Sequence, residues 1–261
     1  MRTVIATDRN QMGQWVARQA ADFLRSLLAE QEVVTLVVAT GSSQFEVLDS
    51  LVQQPDIAWE RVEGFHLDEY LGLHRSHPAS FCGYLEQRFV SRVPLRSFFY
   101  LDGTREPQEL LAEANSKMAQ RTIDLLLCGI GENGHLAFND PPADFEATAP
   151  YLLVDLDEAC RRQQVGEGWF DSIADVPTQA ISMSVKKIMS AQKILCSVPD
   201  RRKAEAVRNT LVGPVTPEVP ASILQQHPDA HLVLDQSSAK LLPEDALREC
   251  EQLGAGPTTG G

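Results

Sequence analysis

Cysteine is scarce in this sequence and shows no paired spacing. The five cysteines are odd in number and well separated, at Cys82, Cys128, Cys160, Cys196 and Cys250. This pattern is unlike a disulfide framework and unlike the close pairs of a zinc motif, and it favours a reducing compartment. The histidines other than His135 also lack ligand spacing. We therefore expect a cytoplasmic protein that holds neither a metal nor another cofactor.

Positive charge is also in short supply. Lysine and arginine together number 23 against 36 acidic residues, which gives a formal net charge of -13. Nucleic acids and anionic membranes require a basic face, so neither is expected as a partner. No segment approaches the roughly 18 uninterrupted apolar residues of a membrane span. The first ten residues, MRTVIATDRN, lack the apolar stretch of a secretory signal.

The 261 residues, 43% of them hydrophobic, are enough for one large α/β domain. Buried strands are predicted at Val33–Ala39, Ile123–Cys128 and Lys193–Val198, with helices such as Gln11–Glu30 and Arg201–Leu211 between strands. This alternation predicts a Rossmann-like, doubly wound, mainly parallel sheet with helices on both faces. No internal repeat is evident.

We expect this single domain to cover residues 1–253. The weakly apolar segment at about 150–175 is predicted to form either a mobile flap over a site or an ordinary surface excursion. The final residues 254–261 are rich in Gly, Pro and Thr, and we expect a loose tail there.

The stretch Ile123–Pro142, IDLLLCGIGENGHLAFNDPP, carries the densest functional signal. A predicted strand runs into three glycines, which allow a sharp turn and close approach of another molecule to the backbone. His135, Asn139 and Asp140 follow within an otherwise apolar segment. Open α/β sheets usually bind ligands at the carboxyl ends of their strands, in the turns that follow, so we expect the site here.

Gly129–Gly134 also satisfies the G-x-G-x-x-G pattern of dinucleotide-binding proteins, with Asp155 downstream at the distance of a ribose-binding acid. The pattern normally lies in the first βα unit, whereas several elements precede it here. The helix after the third glycine must also cross back over the sheet. Pro141 and Pro142 would stop that helix within about two turns. We therefore do not expect a dinucleotide site.

Two earlier strands end in polar residues. Thr40-Gly41-Ser42-Ser43 lies between a strand and a helix, which is the geometry that offers backbone N–H groups to an anion. It also fits a plain turn with Ser43 as the helix cap. Asp68 and Glu69 follow the strand Val62–Leu67, and such acids serve as a helix N-terminal pair, a solvated turn or a catalytic base.

Several segments, taken together and in order, resemble one family, the glucosamine-6-phosphate deaminases. They are TGSS at 40–43, LDEYLGLHRSHPASF at 67–81, GIGENGHLAFNDPP at 129–142, AISMSVKKIM at 180–189 and RRKAEAV at 201–207. The match spans roughly Val33 to Asp235. The resemblance implies an aldose–ketose isomerase that also releases ammonia, forming fructose 6-phosphate.

Two other functions remain as alternatives. The related 6-phosphogluconolactonases share the fold and the first loop, but usually have a D-G-H-T-A-S type glycine motif and lack the DEY segment. A catalytically weakened sugar-phosphate sensor is the third reading. The substrate is in each case a small sugar phosphate, and the sequence leaves open whether the protein forms a homo-oligomer.

The resemblance implies roles for individual substrate-binding residues. The loop residues Thr40, Gly41, Ser42 and Ser43 would cradle the phosphate, and Gly134 would let the sugar approach the backbone. Lys203 matches the family's phosphate-binding lysine. Arg162, on the expected flap, falls at the spacing of a second cationic phosphate ligand.

The resemblance also implies the catalytic residues. Asp68 matches the acid that moves a proton between C1 and C2 of the sugar, and His135 matches the histidine that helps to open the ring. The partners of this histidine correspond to Asn133 and Asp140. Nearby carboxylates would favour the protonated, departing amino group.

Three departures from the family pattern stand out. Some members have aspartate where this chain has Asn133, and an amide cannot accept a proton at neutral pH. Glutamate is common at the position of Asp140, whose carboxylate is one methylene shorter. Allosterically activated members carry basic residues just after this segment, whereas Ala147–Val154 contains none. The sequence therefore predicts an enzyme without allosteric activation.

Overall fold

A computed structural model describes residues 1–254. Its strands are β1 (Arg2–Ala6), β2 (Val34–Val38), β3 (Val62–His66), β4 (Asp68–Tyr70), β5 (Ser97–Phe99), β6 (Leu125–Cys128), β7 (Tyr151–Asp155), β8 (Gln179–Met183), β9 (Lys193–Val198), β10 (Ala230–Asp235) and β11 (Glu251–Gln252). Its α-helices are α1 (Arg9–Glu30), α2 (Phe45–Leu51), α3 (Phe81–Arg88), α4 (Pro107–Met118), α5 (Glu158–Gly166), α6 (Val185–Ile188), α7 (Ala204–Val212) and α8 (Glu244–Glu249). The tail predicted at 254–261 lies outside the described residues, apart from Gly254.

The main sheet has eight strands in the order β11-β1-β10-β9-β6-β2-β3-β5, and all of its pairings are parallel. Its central strands are buried on both faces, as their unbroken apolar sequences predict. Within β2, Val37 packs into one core while Leu36 and Val38 pack into the other. Helices α1, α2 and α3 cover one face, and α4 and α7 cover the other. The predicted doubly wound sheet is confirmed.

The strand order reverses between β2 and β6. From β2 the chain moves outward through β3 to β5, and from β6 it moves the opposite way through β9 to β10. The loops that leave β2 and β6 therefore diverge and leave a crevice at the carboxyl end of the sheet.

A second, three-stranded antiparallel sheet, β4-β8-β7, was not predicted. The sequence placed residues 68–70 at the end of the preceding strand. They instead form β4, which pairs Asp68 with Ser182 and Tyr70 with Ala180. The small sheet packs beside the carboxyl edge of the main one through an aromatic cluster of Tyr70, Phe81 and Phe138.

The segment at 150–175, predicted as a flap or a surface excursion, contains regular secondary structure. It forms β7, paired with β8, and then α5, which buries Cys160 and Gln164. No helix, not even the short one of about two turns that Pro141 and Pro142 would allow, follows Gly134 in the glycine turn after β6. Residues 129–140 instead form a compact turn closed by a bridge between Leu136 and Asn139. Among the described residues, no helix combines the length and the apolar character that a bilayer crossing requires.

Helices α1 and α2 touch at Gly13. A Cβ atom at this position would lie 2.4 Å from Cβ of Glu46 and 2.7 Å from its carbonyl carbon. We expect Gly13→Ala to push the two helices apart and to lower the free energy of unfolding by about 1–3 kcal/mol, measured by urea denaturation. Gly166→Ala is the matched control, because open space surrounds this helical glycine. An equal effect of both substitutions would contradict this packing.

Candidate active site

A cleft of about 660 Å³, including its mouth, opens at the carboxyl edge of the sheet. It lies at the crevice where the strand order reverses. The loops after β2, β3, β6 and β9 all reach it, and α5 borders it from the side. The predicted site residues that line the cleft are Thr40, Gly41, Ser42, Ser43, Asp68, His135 and Lys203.

The loop after β2 is shaped to present backbone N–H groups. Gly41 has a φ of 90°, a conformation that favours glycine, and residues 42–44 then form a 3-10 turn that leads into α2. The buried side chain of Gln44 holds this loop against two strands. Its Nε2 donates to the carbonyl of Cys128 at 2.9 Å and to Oγ of Ser197 at 2.8 Å. The sequence analysis missed Gln44, because a glutamine at a helix start is locally unremarkable.

A chain of polar side chains joins the glycine turn to Lys203. The N–H of Glu132 donates to Oε1 of Gln163 at 3.0 Å, and Nε2 of Gln163 donates to Oε1 of Glu167 at 2.8 Å. The same oxygen lies 3.4 Å from Nζ of Lys203. Lys203 is 8% exposed, so Glu167 balances its charge within the cleft. Sequence reasoning found Lys203 but neither Gln163 nor Glu167.

Asp68 is a buried carboxyl group that faces the cleft. Burial, together with the charge of Glu69, raises its pKa to about 8. A carboxyl group with such a pKa holds or releases a proton near neutral pH, which is what general acid–base chemistry requires.

Glu69 faces the opposite way and caps α3. Its carboxylate accepts hydrogen bonds from the N–H groups of Cys82 at 2.7 Å, Tyr70 at 2.9 Å and Phe81 at 3.2 Å. Burial raises the pKa of Glu69 to about 7, although these N–H donors oppose the rise. Glu69 therefore anchors β4 to α3 and places Asp68 in the cleft. Local sequence alone leaves open whether these two acids form a helix N-terminal pair, a solvated turn or a catalytic base. In the structure Asp68 faces the cleft, whereas Glu69 accepts hydrogen bonds from the start of α3.

The imidazole of His135 lies directly over Gly131. A Cβ atom at Gly131 would come within 2.2–2.4 Å of three ring atoms, so only glycine fits beneath the ring. Nδ1 of His135 is 3.1 Å from Oδ1 of Asp140. Asn133 contacts both partners, since its Oδ1 accepts from the N–H of His135 and its Nδ2 donates to Asp140 at 3.2 Å.

Burial alone would raise the pKa of Asp140, but its contacts with His135 and Asn133 more than offset this, and the pKa lies below its usual value. Asn133, Gly134 and Asp140 lie beside or behind His135 rather than on the wall of the cleft. The turn itself is held by Asn139, whose Nδ2 donates to the carbonyls of Leu136 and Met183, both at 2.8 Å.

Arg162 is not brought to the cleft in this structure. It projects from α5 with its side chain 71% exposed and pairs with Glu158 one turn earlier. The neighbouring Arg161 donates to the carbonyls of Ile173 and Val176. Gln163 and Gln164 of the same helix line the cleft instead.

Two groups of metal-ligating side chains occur within residues 1–254. One is His66, Glu69 and Cys82, and the other is His135, Asp140 and Cys160. Both combine an imidazole, a carboxylate and a thiol, and the second adjoins the cleft.

The raised pKa of Asp68 predicts how stability depends on pH. The folded protein keeps this proton up to about pH 8, whereas the unfolded chain releases it near pH 4. Unfolding thus releases a proton across this window, and stability falls as the pH rises. We expect Asp68→Asn to reduce the drop in unfolding free energy between pH 5 and pH 8 by on the order of 2–4 kcal/mol. Urea denaturation at both pH values measures this.

Asp245→Asn, at an exposed position on α8, serves as the control and should behave as the unaltered protein. Glu69 titrates in the same direction and remains in both variants, so only the contribution of Asp68 changes. An unchanged drop in the Asp68→Asn variant would contradict the assignment.

Comparison with known proteins identifies the family of this chain. Residues 7–233 match the family model described as glucosamine-6-phosphate isomerases/6-phosphogluconolactonase. The chain is 36% identical over 244 residues to glucosamine-6-phosphate deaminase of Exiguobacterium sibiricum, covering 90% of this chain and 95% of that protein. It is 38% identical over 209 residues to the deaminase of Streptococcus thermophilus, covering 80% and 88%.

Solved structures of related proteins have a similar fold. A monomeric glucosamine-6-phosphate deaminase superposes with a TM-score of 0.83 at 28% identity, covering 92% of this chain and all of that one. The 6-phosphogluconolactonase of Thermotoga maritima superposes with a TM-score of 0.74 at 15% identity over 90% of this chain and all of that one, which is a likeness of fold alone. On the family model and the curated relatives, this chain belongs to the family of glucosamine-6-phosphate isomerases and 6-phosphogluconolactonases.

Proposed function

We propose that this protein is a glucosamine-6-phosphate deaminase, which converts glucosamine 6-phosphate and water to fructose 6-phosphate and ammonia. The observation that carries the proposal is the presence of Asp68 and His135 in one cleft with the hydroxyl loop and Lys203. A proton-transfer acid, a ring-opening histidine and an anion cradle are the three parts that this reaction needs. The deaminase relatives and the DEY segment favour it over lactone hydrolysis.

The phosphate end of the substrate binds at the loop after β2. The N–H groups and hydroxyls of Thr40–Ser43 converge on the cleft at the start of α2, and Lys203 supplies the positive charge. This local arrangement lets a protein of net charge -13 hold an anion. Arg162 takes no part in the proposal for this conformation, because it projects away from the cleft.

His135 catalyses the opening of the pyranose ring. The ring oxygen of the pyranose must gain a proton while the C1 hydroxyl loses one, and an imidazole can mediate both transfers. Asp140 orients the imidazole through the contact of its Oδ1 with Nδ1 at 3.1 Å. The amide of Asn133 donates to the same oxygen, Oδ1 of Asp140, at 3.2 Å, and so helps to hold this shorter carboxylate beside the imidazole.

Asp68 then moves the proton between carbons. Its ionised carboxylate removes the hydrogen from C2 while the carbonyl oxygen at C1 gains a proton, which gives an enolamine. Asp68 then returns a proton to C1 as the nitrogen gives up one of its protons. The product carries a C=N bond at C2. Water adds to this bond, the nitrogen leaves as ammonia, and C2 becomes the ketone of fructose 6-phosphate. The pKa of about 8 lets one carboxyl group accept and donate the proton in turn.

Ammonium and fructose 6-phosphate, measured in parallel after mixing purified protein with glucosamine 6-phosphate, test this proposal. We expect equal amounts of both products. Asp68→Asn should reduce kcat by about a hundredfold or more with little change in KM, because an amide transfers no proton. In the unaltered protein kcat should rise with pH toward about 8, as Asp68 ionises. Asp245→Asn is the matched control and should retain full turnover.

Other outcomes identify the alternatives. Hydrolysis of 6-phosphogluconolactone without turnover of the amino sugar phosphate would assign the lactonase activity. Binding of glucosamine 6-phosphate without any turnover would assign a sensor, and Asp68→Asn would then leave function intact.

We also propose that the enzyme has no allosteric activation by an amino-sugar phosphate. The segment Ala147–Val154, which follows the glycine turn and includes most of β7, contains no basic side chain. A second sugar phosphate would find no cation there. Initial rates should therefore follow a hyperbola in substrate concentration, with or without N-acetylglucosamine 6-phosphate. Saturable activation by that compound would contradict this prediction.

A further inference from the structure

Three side chains with metal-binding chemistry converge beside the cleft. A nitrogen of His135, an oxygen of Asp140 and Sγ of Cys160 lie within 4.8 Å of one another. His135 and Cys160 are 8% and 1% exposed, and the side chain of Asp140 is 10% exposed. The first two positions belong to the glycine turn and the third to α5, so only the tertiary structure brings them together.

Each of the three positions is fixed by its own surroundings. The ring of His135 rests on Gly131, and Asn133 holds Asp140. Cys160 lies in the first turn of α5, where its N–H donates to the capping carboxylate of Asp157 at 2.6 Å. The donor atoms are therefore preorganised and need little rearrangement to meet at one point.

Two of these donor atoms lack a hydrogen bond. Nδ1 of His135 and Oδ2 of Asp140 are buried without a hydrogen bond of normal geometry, although Nδ1 lies 3.1 Å from Oδ1 and the Cys160 thiol faces the same carboxylate. An unpartnered polar atom in a buried position costs free energy unless something satisfies it. A cation at the centre of the three side chains would satisfy both atoms.

The other cluster of the same composition also has one unpartnered atom, Nε2 of His66, but differs at its carboxylate and its thiol. Its carboxylate, Glu69, already accepts hydrogen bonds from Ser80 and from three backbone N–H groups, and Cys82 donates to the carbonyl of Leu101 at 3.2 Å. Those interactions leave few lone pairs for a metal. That cluster serves here as an internal comparison of equal chemistry.

We propose that His135, Asp140 and Cys160 form a binding site for a thiophilic divalent cation of the Zn²⁺ type. Imidazole nitrogen, carboxylate oxygen and thiolate sulfur are the ligands that zinc takes in proteins, and three protein ligands leave a fourth position for water. The sulfur selects against Mg²⁺ and Ca²⁺, which prefer oxygen. On binding, Cys160 releases its proton to solvent, and one carboxylate and one thiolate balance the two charges of the ion.

Occupancy of this site inhibits the deaminase. The ion takes the Nδ1 lone pair of His135 and the carboxylate of Asp140, and the imidazole can then no longer gain and lose the protons of ring opening. This consequence depends on the proposed function, whereas metal binding itself does not.

The experiment uses Co²⁺ as a spectroscopic probe on the purified full-length chain, after treatment with a chelator and removal of the chelator. We expect one equivalent of Co²⁺ to produce a thiolate-to-cobalt charge-transfer band and the visible bands of a tetrahedral ion, and one equivalent of Zn²⁺ to displace it. Cys160→Ser should lose the thiolate band and bind about tenfold or more weakly. Cys82→Ser should keep both the band and the affinity.

Circular dichroism on all samples verifies that the variants are folded, and Mg²⁺ serves as the oxygen-preferring control ion. The proposal is overturned by absence of the thiolate band, by its persistence in Cys160→Ser, or by its loss in Cys82→Ser alone. Turnover is measured separately: Zn²⁺ should reduce it about tenfold or more, and a chelator should restore it. The cobalt spectrum needs no turnover, so failure of the metal site and failure of the deaminase proposal are distinguishable.

Discussion

The burial of Glu69 is the constraint on which the candidate site depends. A carboxylate that is 1% exposed is tolerated only when its oxygens are satisfied, and three backbone N–H groups together with the hydroxyl of Ser80 do this. These bonds join β4 to the start of α3. Because side chains alternate along a strand, fixing Glu69 toward the helix sends Asp68 the other way, into the cleft. The unusual pKa of Asp68 then follows from its position, since burial and the neighbouring acid both disfavour its charge.

The glycine turn after β6 fixes the position of His135, much as Glu69 fixes that of Asp68, but through close packing and side-chain hydrogen bonds within the turn. One of its glycines provides space, because the imidazole of His135 occupies the volume that a side chain at Gly131 would fill. The polar residues around it are tied into the turn, with Asn133 bridging His135 and Asp140. The same turn also brings His135 and Asp140 to within 4.8 Å of the thiol of Cys160.

The cleft of this acidic chain carries positive charge locally. Lys203 lies in the cleft with Glu167 beside it, and Gln163 links that carboxylate to the glycine turn. The lysine is therefore held in place by a residue of α5. This helix takes part in the site through Gln163, Gln164 and Glu167, and not through an arginine.

The sequence by itself determined the alternation of strands and helices, the doubly wound sheet, and the hydroxyl loop and glycine turn of the cleft, because these depend on local periodicity and on turns that follow strands. The resemblance to a known family added Lys203 and the roles of Asp68 and His135, and the cleft contains all three residues. The small antiparallel sheet, the anchoring by Gln44 and Glu69, and the outward direction of Arg162 were decided only by the tertiary structure. Each depends on contacts between residues far apart in the chain, such as Asp68 with Ser182 or Gln44 with Ser197. Local patterns carry no record of such pairings, and the same holds for Cys160, which meets His135 and Asp140 only after folding.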